Sequence, residues 1–142
     1  MSTKPIKCVL LGDRHHGLSE GIRSLLQRQF QAVVTVTDEE SLVESAVRMQ
    51  PNVVVADLSL TRGESFGWLR RLLSRQPESR VIVLSDYPEP AVRQEAFEAG
   101  AAGYLLKIEI SSQLLAAVNE VLAGRRYASV AAAKEGGRLK PD

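Results

Sequence analysis

Short runs of apolar, mostly β-branched residues alternate along this chain with stretches whose apolar positions recur every three to four residues. Ile6 to Leu11 reads as a buried strand. Leu18, Ile22, Leu25, Leu26 and Phe30 then fall at helical spacing. Ala32 to Val36 is a second strand, and Asp38 is placed to cap a helix running through Met49, with Leu42, Val43, Ala46 and Val47 inward. Pro51 stops that helix, and the run Asn52 to Ala56 follows, ending in Asp57. Phe66, Leu69, Leu72 and Leu73 mark a third helix that ends near Pro77, before a strand from Val81 to Leu84. Pro90 suits the first turn of a helix carrying Val92, Ala96 and Phe97 and closed by Gly100. Gly103 to Leu106 is a fifth strand, and Ser111 or Ser112 is expected to cap a last helix bearing Leu114, Leu115, Val118, Val121 and Leu122.

Five strand–helix units with fully apolar strands imply a parallel sheet covered on both faces. Right-handed crossovers make it an α/β, doubly wound, five-stranded, flavodoxin-like three-layer sandwich of order 2-1-3-4-5. From Gly124 the pattern fades, so residues 1–123 are expected to form the domain. Residues 124–142 are expected to extend the last helix or form a disordered tail or linker.

Composition narrows the function classes. A chain of 142 residues suits one domain, and a net charge of +1 gives no general pull toward nucleic acid or acidic lipid. Cys8 is the only cysteine, which excludes an internal disulfide and a cysteine-based zinc site; a buried, inert thiol is expected. No apolar stretch reaches spanning length and no signal-peptide core is visible, so a cytoplasmic protein is expected.

The candidate chemistry lies at the strand ends. Asp13 follows the first strand, Asp57 ends the third, Ser85 ends the fourth and Lys107 ends the fifth. Open α/β sheets bind ligands at this edge. Two acids, a hydroxyl and a cation suit phosphorylation of a carboxylate.

On these residues, and on Asp13-Arg14-His15 and Gly103-Tyr104-Leu105-Leu106-Lys107, the chain resembles the receiver domain of two-component response regulators, the CheY-like fold, and most closely its NarL/FixJ group. The resemblance covers about Ile6 to Ala123. It implies a non-enzymatic signalling module in which Asp57 is the phosphoacceptor. It makes Ser85 the switch hydroxyl, Tyr104 the aromatic that reports the switch and Lys107 the partner of the phosphoryl oxygens. It implies a magnesium site on Asp13, Asp57 and Ser59. His15 matches a histidine common in this group. Its implied partners are a sensor histidine kinase or another signalling protein, with a homodimer as an option, no membrane and no direct nucleic-acid contact by this chain. Docking or self-association is expected on the helix–strand–helix face around Tyr104 or through the first and last helices.

Several residues depart from that pattern. Arg14 stands where the family has a second acid, so magnesium binding is expected to be weak or lost. Thr61 replaces a proline, Gly67 comes two residues late, Asp86 replaces a small residue after the switch hydroxyl, and Ile108 replaces a proline after the lysine. Arg14 is expected either to swing to solvent or to act as an internal cation paired with Asp13 and Asp57. The departures give the rival reading of a phosphorylation-independent pseudo-receiver that binds proteins or dimerises.

Other readings carry less. The segment Asp13-Arg14-His15 also resembles the Asp-x-His-x-x-Gly motif of cobalamin-binding domains, but Leu18 stands where the glycine belongs. His15 and His16 are adjacent and do not converge on one ion. Gly12 and Gly17 lack the Lys-Ser/Thr pair of a nucleotide loop. Arg70-Arg71 and Arg125-Arg126 read as solvated faces, and Trp68 as core edge or contact surface.

Overall fold

The computed structural model describes residues 7–14, 16–60 and 66–129, excepting the side chains of 16–19. Thr61, His15, Gly136 and Gly137 lie outside the described residues, as does the Leu18 side chain. The strands are β1 (Cys8–Gly12), β2 (Ala32–Val36), β3 (Val53–Asp57), β4 (Val81–Ser85), β5 (Gly103–Leu106) and β6 (Tyr127–Ala128). The helices are α1 (His16–Leu26), α2 (Glu39–Met49), α3 (Gly67–Arg75), α4 (Pro90–Glu98) and α5 (Ile110–Leu122). All strand pairs are parallel, in the order β2-β1-β3-β4-β5-β6.

The expected doubly wound sandwich is therefore present, with one strand more than the apolar pattern showed. β6 pairs Tyr127 with Gly103 and Ala128 with Tyr104, within the stretch expected to be helix extension or tail. It lies along β5, at the strand edge of the helix–strand–helix face around Tyr104.

Strand alternation divides the core. Leu10, Val54, Ala56, Val81 and Val83 face α2, α3 and α4. Val9, Leu11, Val53, Val55, Ile82 and Leu84 face α1 and α5. Because β3 and β4 are covered on both sides, all ten of their residues are buried.

Local chemistry fixes the ends. The Asp38 carboxylate accepts the Ser41 amide at 2.7 Å, capping α2 as expected. Gly100 follows α4 with φ +109°, and a Cβ there would lie 2.4 Å from Leu73. The last helix starts earlier than expected. Lys107–Glu109 form a 3-10 turn that runs into Ile110, so neither Ser111 nor Ser112 is the cap. Cys8 is half-buried. Trp68 is core, 1% exposed, with its ring centroid 6.5 Å from that of Phe66, and its indole N–H has no hydrogen-bond partner among the described residues.

Candidate phosphorylation site

Parallel pairing aligns the strand ends. Gly12 lies opposite Ala56, Asp57 opposite Leu84, and Ser85 opposite Leu106. Asp13, Asp57, Ser85 and Lys107 therefore stand along one edge of four adjacent strands. Gly12 permits the close approach: a Cβ there would lie 2.9 Å from Leu60 and 3.0 Å from Leu42. Asp13, Asp57 and Ser85 are buried, at 1%, 0% and 0% exposure. Buried polar groups need partners, and a buried charge needs them most.

Asp57 has one on each oxygen. Oδ1 accepts the Ser59 amide at 2.9 Å, and Oδ2 lies 3.0 Å from Lys107 Nζ. Lys107 also reaches Asp86 at 3.6 Å, with Asp86 exposed at the rim. Desolvation pulls the Lys107 ammonium toward losing its proton. The hydrogen bond to Asp57 and the fields of Asp57, Asp86 and Asp13 outweigh that, so its pKa rises above the ordinary lysine value.

Ser85 sits in a second network. Its Oγ accepts the Tyr87 amide at 2.8 Å and lies 2.9 Å from the Tyr104 hydroxyl. That hydroxyl is also 2.6 Å from the Tyr87 carbonyl. Tyr104 has one proton, and a carbonyl can only accept. Giving the tyrosine proton to the carbonyl leaves Ser85 as donor to Tyr104. Tyr104 is fully buried, and desolvation raises its pKa, opposed in part by the bond to Ser85.

Arg14 does not take the expected place among the carboxylates. It is exposed, and Nη1 donates to the Ser59 carbonyl at 3.3 Å. Among the described ion pairs it has none with Asp13 or Asp57. Of the two expectations for Arg14, the exposed side chain is found, though tethered to backbone, and the internal cation paired with Asp13 and Asp57 is not. A carbonyl acceptor leaves no mark in a sequence, which is why this contact was missed. Arg14 also lines a cleft of about 730 Å³ with Asp38, Glu40, Val43, Leu60 and Arg75, whose mixed charges favour no single-sign ligand.

A family model of the response regulator receiver domain matches residues 9–119. The chain belongs to the receiver family. A transcriptional regulatory protein, DegU of Brevibacillus brevis, is 29% identical over 84% of this chain and 51% of its own length. The DNA-binding transcriptional activator DevR/DosR of Mycobacterium tuberculosis is 34% identical over 82% of this chain and 55% of its own. A LuxR-family response regulator from Aurantimonas superposes with a TM-score of 0.83 at 29% identity, covering 93% of this receiver and 96% of that chain. This receiver thus spans about half the length of the curated relatives it matches.

The partner expectation is corrected by these relatives. It set nucleic acid aside, whereas relatives of this receiver are transcriptional regulators and one is a DNA-binding activator. A net charge of +1 on one domain says nothing about a partner reached through another. No described helix is long and apolar enough to cross a membrane.

Magnesium is the metal that the receiver family implies, and the residues here fit it poorly. Asp13 and Asp57 remain, but the Ser59 carbonyl is bonded to a guanidinium and Asp57 Oδ2 faces an ammonium. Magnesium needs near-octahedral oxygen donors. Among the described residues no group of three or more His, Cys, Asp or Glu side chains is arranged to hold a metal. The buried Ser59 hydroxyl, in the turn beside Asp57, has no hydrogen-bond partner among the described residues, and a hydroxyl can donate to an oxyanion as well as face a metal.

Proposed function

We propose that this receiver takes up a phosphoryl group on Asp57 in two-component signalling, with its output in transcription control and its place in the cytoplasm. The observation that carries the reading is a fully buried carboxylate at the end of β3 held 3.0 Å from an ammonium. A carboxylate oxygen of Asp57 attacks phosphorus, a new P–O bond forms, and the donor's bond to phosphorus breaks with its electron pair on the leaving group. Such a transfer depends on positioning and on neutralising charge on the phosphoryl oxygens. Lys107 supplies the cation in contact, and Arg14 a second one at the Ser59 carbonyl. The Ser59 hydroxyl is a donor in the same turn. Ser85 turns its single proton from Tyr104 to a phosphoryl oxygen, which frees Tyr104 to rearrange.

The test is incubation with acetyl phosphate, with and without magnesium, followed by intact mass. A gain of one phosphoryl group that Asp57→Asn abolishes supports the reading. Unchanged mass under both conditions sinks it. The arginine at the Ser59 carbonyl favours a second reading, a receiver that signals without phosphorylation. A fixed state in that module predicts that partner affinity falls in Arg14→Ala and ignores phosphodonor.

A further inference from the structure

The five residues after Gly124 are tied to three different elements. The Arg126 guanidinium lies 5.2 Å from the Phe97 ring centroid on α4. The Tyr127 hydroxyl donates to Gln113 Oε1 on α5 at 2.7 Å. The Tyr127 amide donates to the Ala102 carbonyl, and the Ser129 amide to the Tyr104 carbonyl, both at 3.0 Å. Arg125 adds an exposed ion pair with Glu120. Two-residue strands hold poorly alone; these side-chain contacts on either wall explain why this one stays.

Ser129 is the residue of this strap nearest the site, and it is fully buried. Its hydroxyl accepts the Leu106 amide at 3.4 Å. In a continuing parallel ladder the residue-129 carbonyl would take that amide. The serine side chain does so instead. One residue thus brackets the last turn of β5 through the Tyr104 carbonyl and the Leu106 amide. Lys107 is the next residue. The other flank of Lys107 is the 3-10 turn into α5, so the backbone that aims its ammonium at Asp57 is held from both sides.

We infer that Ser129 is a positioning residue for the phosphorylation site: the strap of residues 125–129 fixes the end of β5, and through it the reach of Lys107 to Asp57. The inference rests on the proposed role of Asp57. It has a consequence for signalling. If seating the strap favours the phosphorylated site, phosphorylation must favour the seated strap by the same free energy. Residue 129 is then where the state of the site passes to the residues that follow it in sequence.

The experiment compares the whole chain with Ser129→Ala and Ser129→Thr. Three quantities are read: the rate of acetyl phosphate transfer, the position of the Lys107 side-chain NMR signal at one fixed pH, and the melting temperature. Losing a buried hydrogen bond is expected to slow transfer by about three- to ten-fold in Ser129→Ala. The Lys107 signal should shift toward that of an exposed lysine as its contact with Asp57 loosens, and Ser129→Thr should restore both. Ser129→Cys, which keeps the volume but accepts hydrogen bonds weakly, replaces Ser129→Ala if the alanine variant does not fold. Rate and Lys107 signal equal to wild type in the variant lacking the hydroxyl overturn the inference, even with a lowered melting temperature. If wild type takes up no phosphoryl group, the phosphoacceptor reading fails, and the Lys107 signal alone decides the role of Ser129. A shift that threonine restores upholds it, and no shift overturns it.

Discussion

Two cations stand at the same edge of the sheet and are held in opposite ways. Lys107 is 16% exposed and in contact with a buried carboxylate. Arg14 is exposed and donates to a main-chain carbonyl. A buried ion pair is a commitment: each charge has lost water and depends on the other. A guanidinium on a carbonyl keeps most of its hydration and its full charge. The lysine is therefore part of what keeps the site folded. The arginine touches the site through one backbone carbonyl, at little structural cost.

The widest test of that contrast removes the lysine. Among the described residues Lys107→Met leaves the buried Asp57 only the Ser59 amide, and should cost about 3 kcal/mol, the low end for breaking a buried pair because Lys107 is not fully enclosed. Urea denaturation measures it, and Arg14→Ala should change stability by less than about 0.5 kcal/mol in the same assay. Equal losses in the two variants would erase the distinction.

A second test uses alkali. The Lys107 pKa is raised in the folded state, so its contribution is complete below the unfolded lysine value and is lost as pH rises through the folded one. Tyr104, also raised, acts with the same sign. The stability gap between wild type and Lys107→Met should stay constant from neutral pH until the ordinary lysine range, and narrow above it. Denaturation curves across that range check this; narrowing already near neutrality would contradict it.

The arginine side of the contrast is sharpened by charge reversal. Arg14→Asp frees the Ser59 carbonyl and adds a carboxylate, so magnesium affinity should rise by about tenfold or more, as an added hard oxygen ligand predicts. Calorimetry reads the change, and sub-millimolar binding by the wild type would count against the poor fit described above. The smallest effect is expected at Asp86. Its pair with Lys107 is 70% exposed on the acid side, so Asp86→Asn should change stability by about 0–1 kcal/mol. The Lys107 titration should move down slightly.

What the sequence made legible follows from where the information lies. The five long strands and the edge they share were readable because each strand is a run of apolar residues ending in a polar one, as Val53 to Asp57 shows. β6 was not readable. Its ladder bonds join backbone groups of Tyr127 and Ser129 to a sheet edge, and edges accept many sequences. Arg125 and Arg126 read as solvated charges, yet one lies over Phe97 and the other pairs with Glu120. The start of α5 was misplaced for a related reason, since Ser111 and Ser112 look like caps while the 3-10 turn from Lys107 sets the entry. For Arg14 the sequence offers only solvent or the carboxylates as partners, because carboxylates carry sequence letters and the Ser59 carbonyl does not.

Trp68 is the only tryptophan, it is enclosed, and its indole N–H meets no hydrogen-bond partner among the described residues. An indole in such surroundings emits at short wavelength and is sheltered from aqueous quenchers. It shifts to the red when water reaches it. The chain thus carries an intrinsic optical gauge of its own unfolding, set in the core beneath α3 rather than at the charged rim. Denaturation of every variant discussed can be followed by this emission without a label, whereas occupancy of the aspartate pocket calls for mass, heat or resonance as the signal.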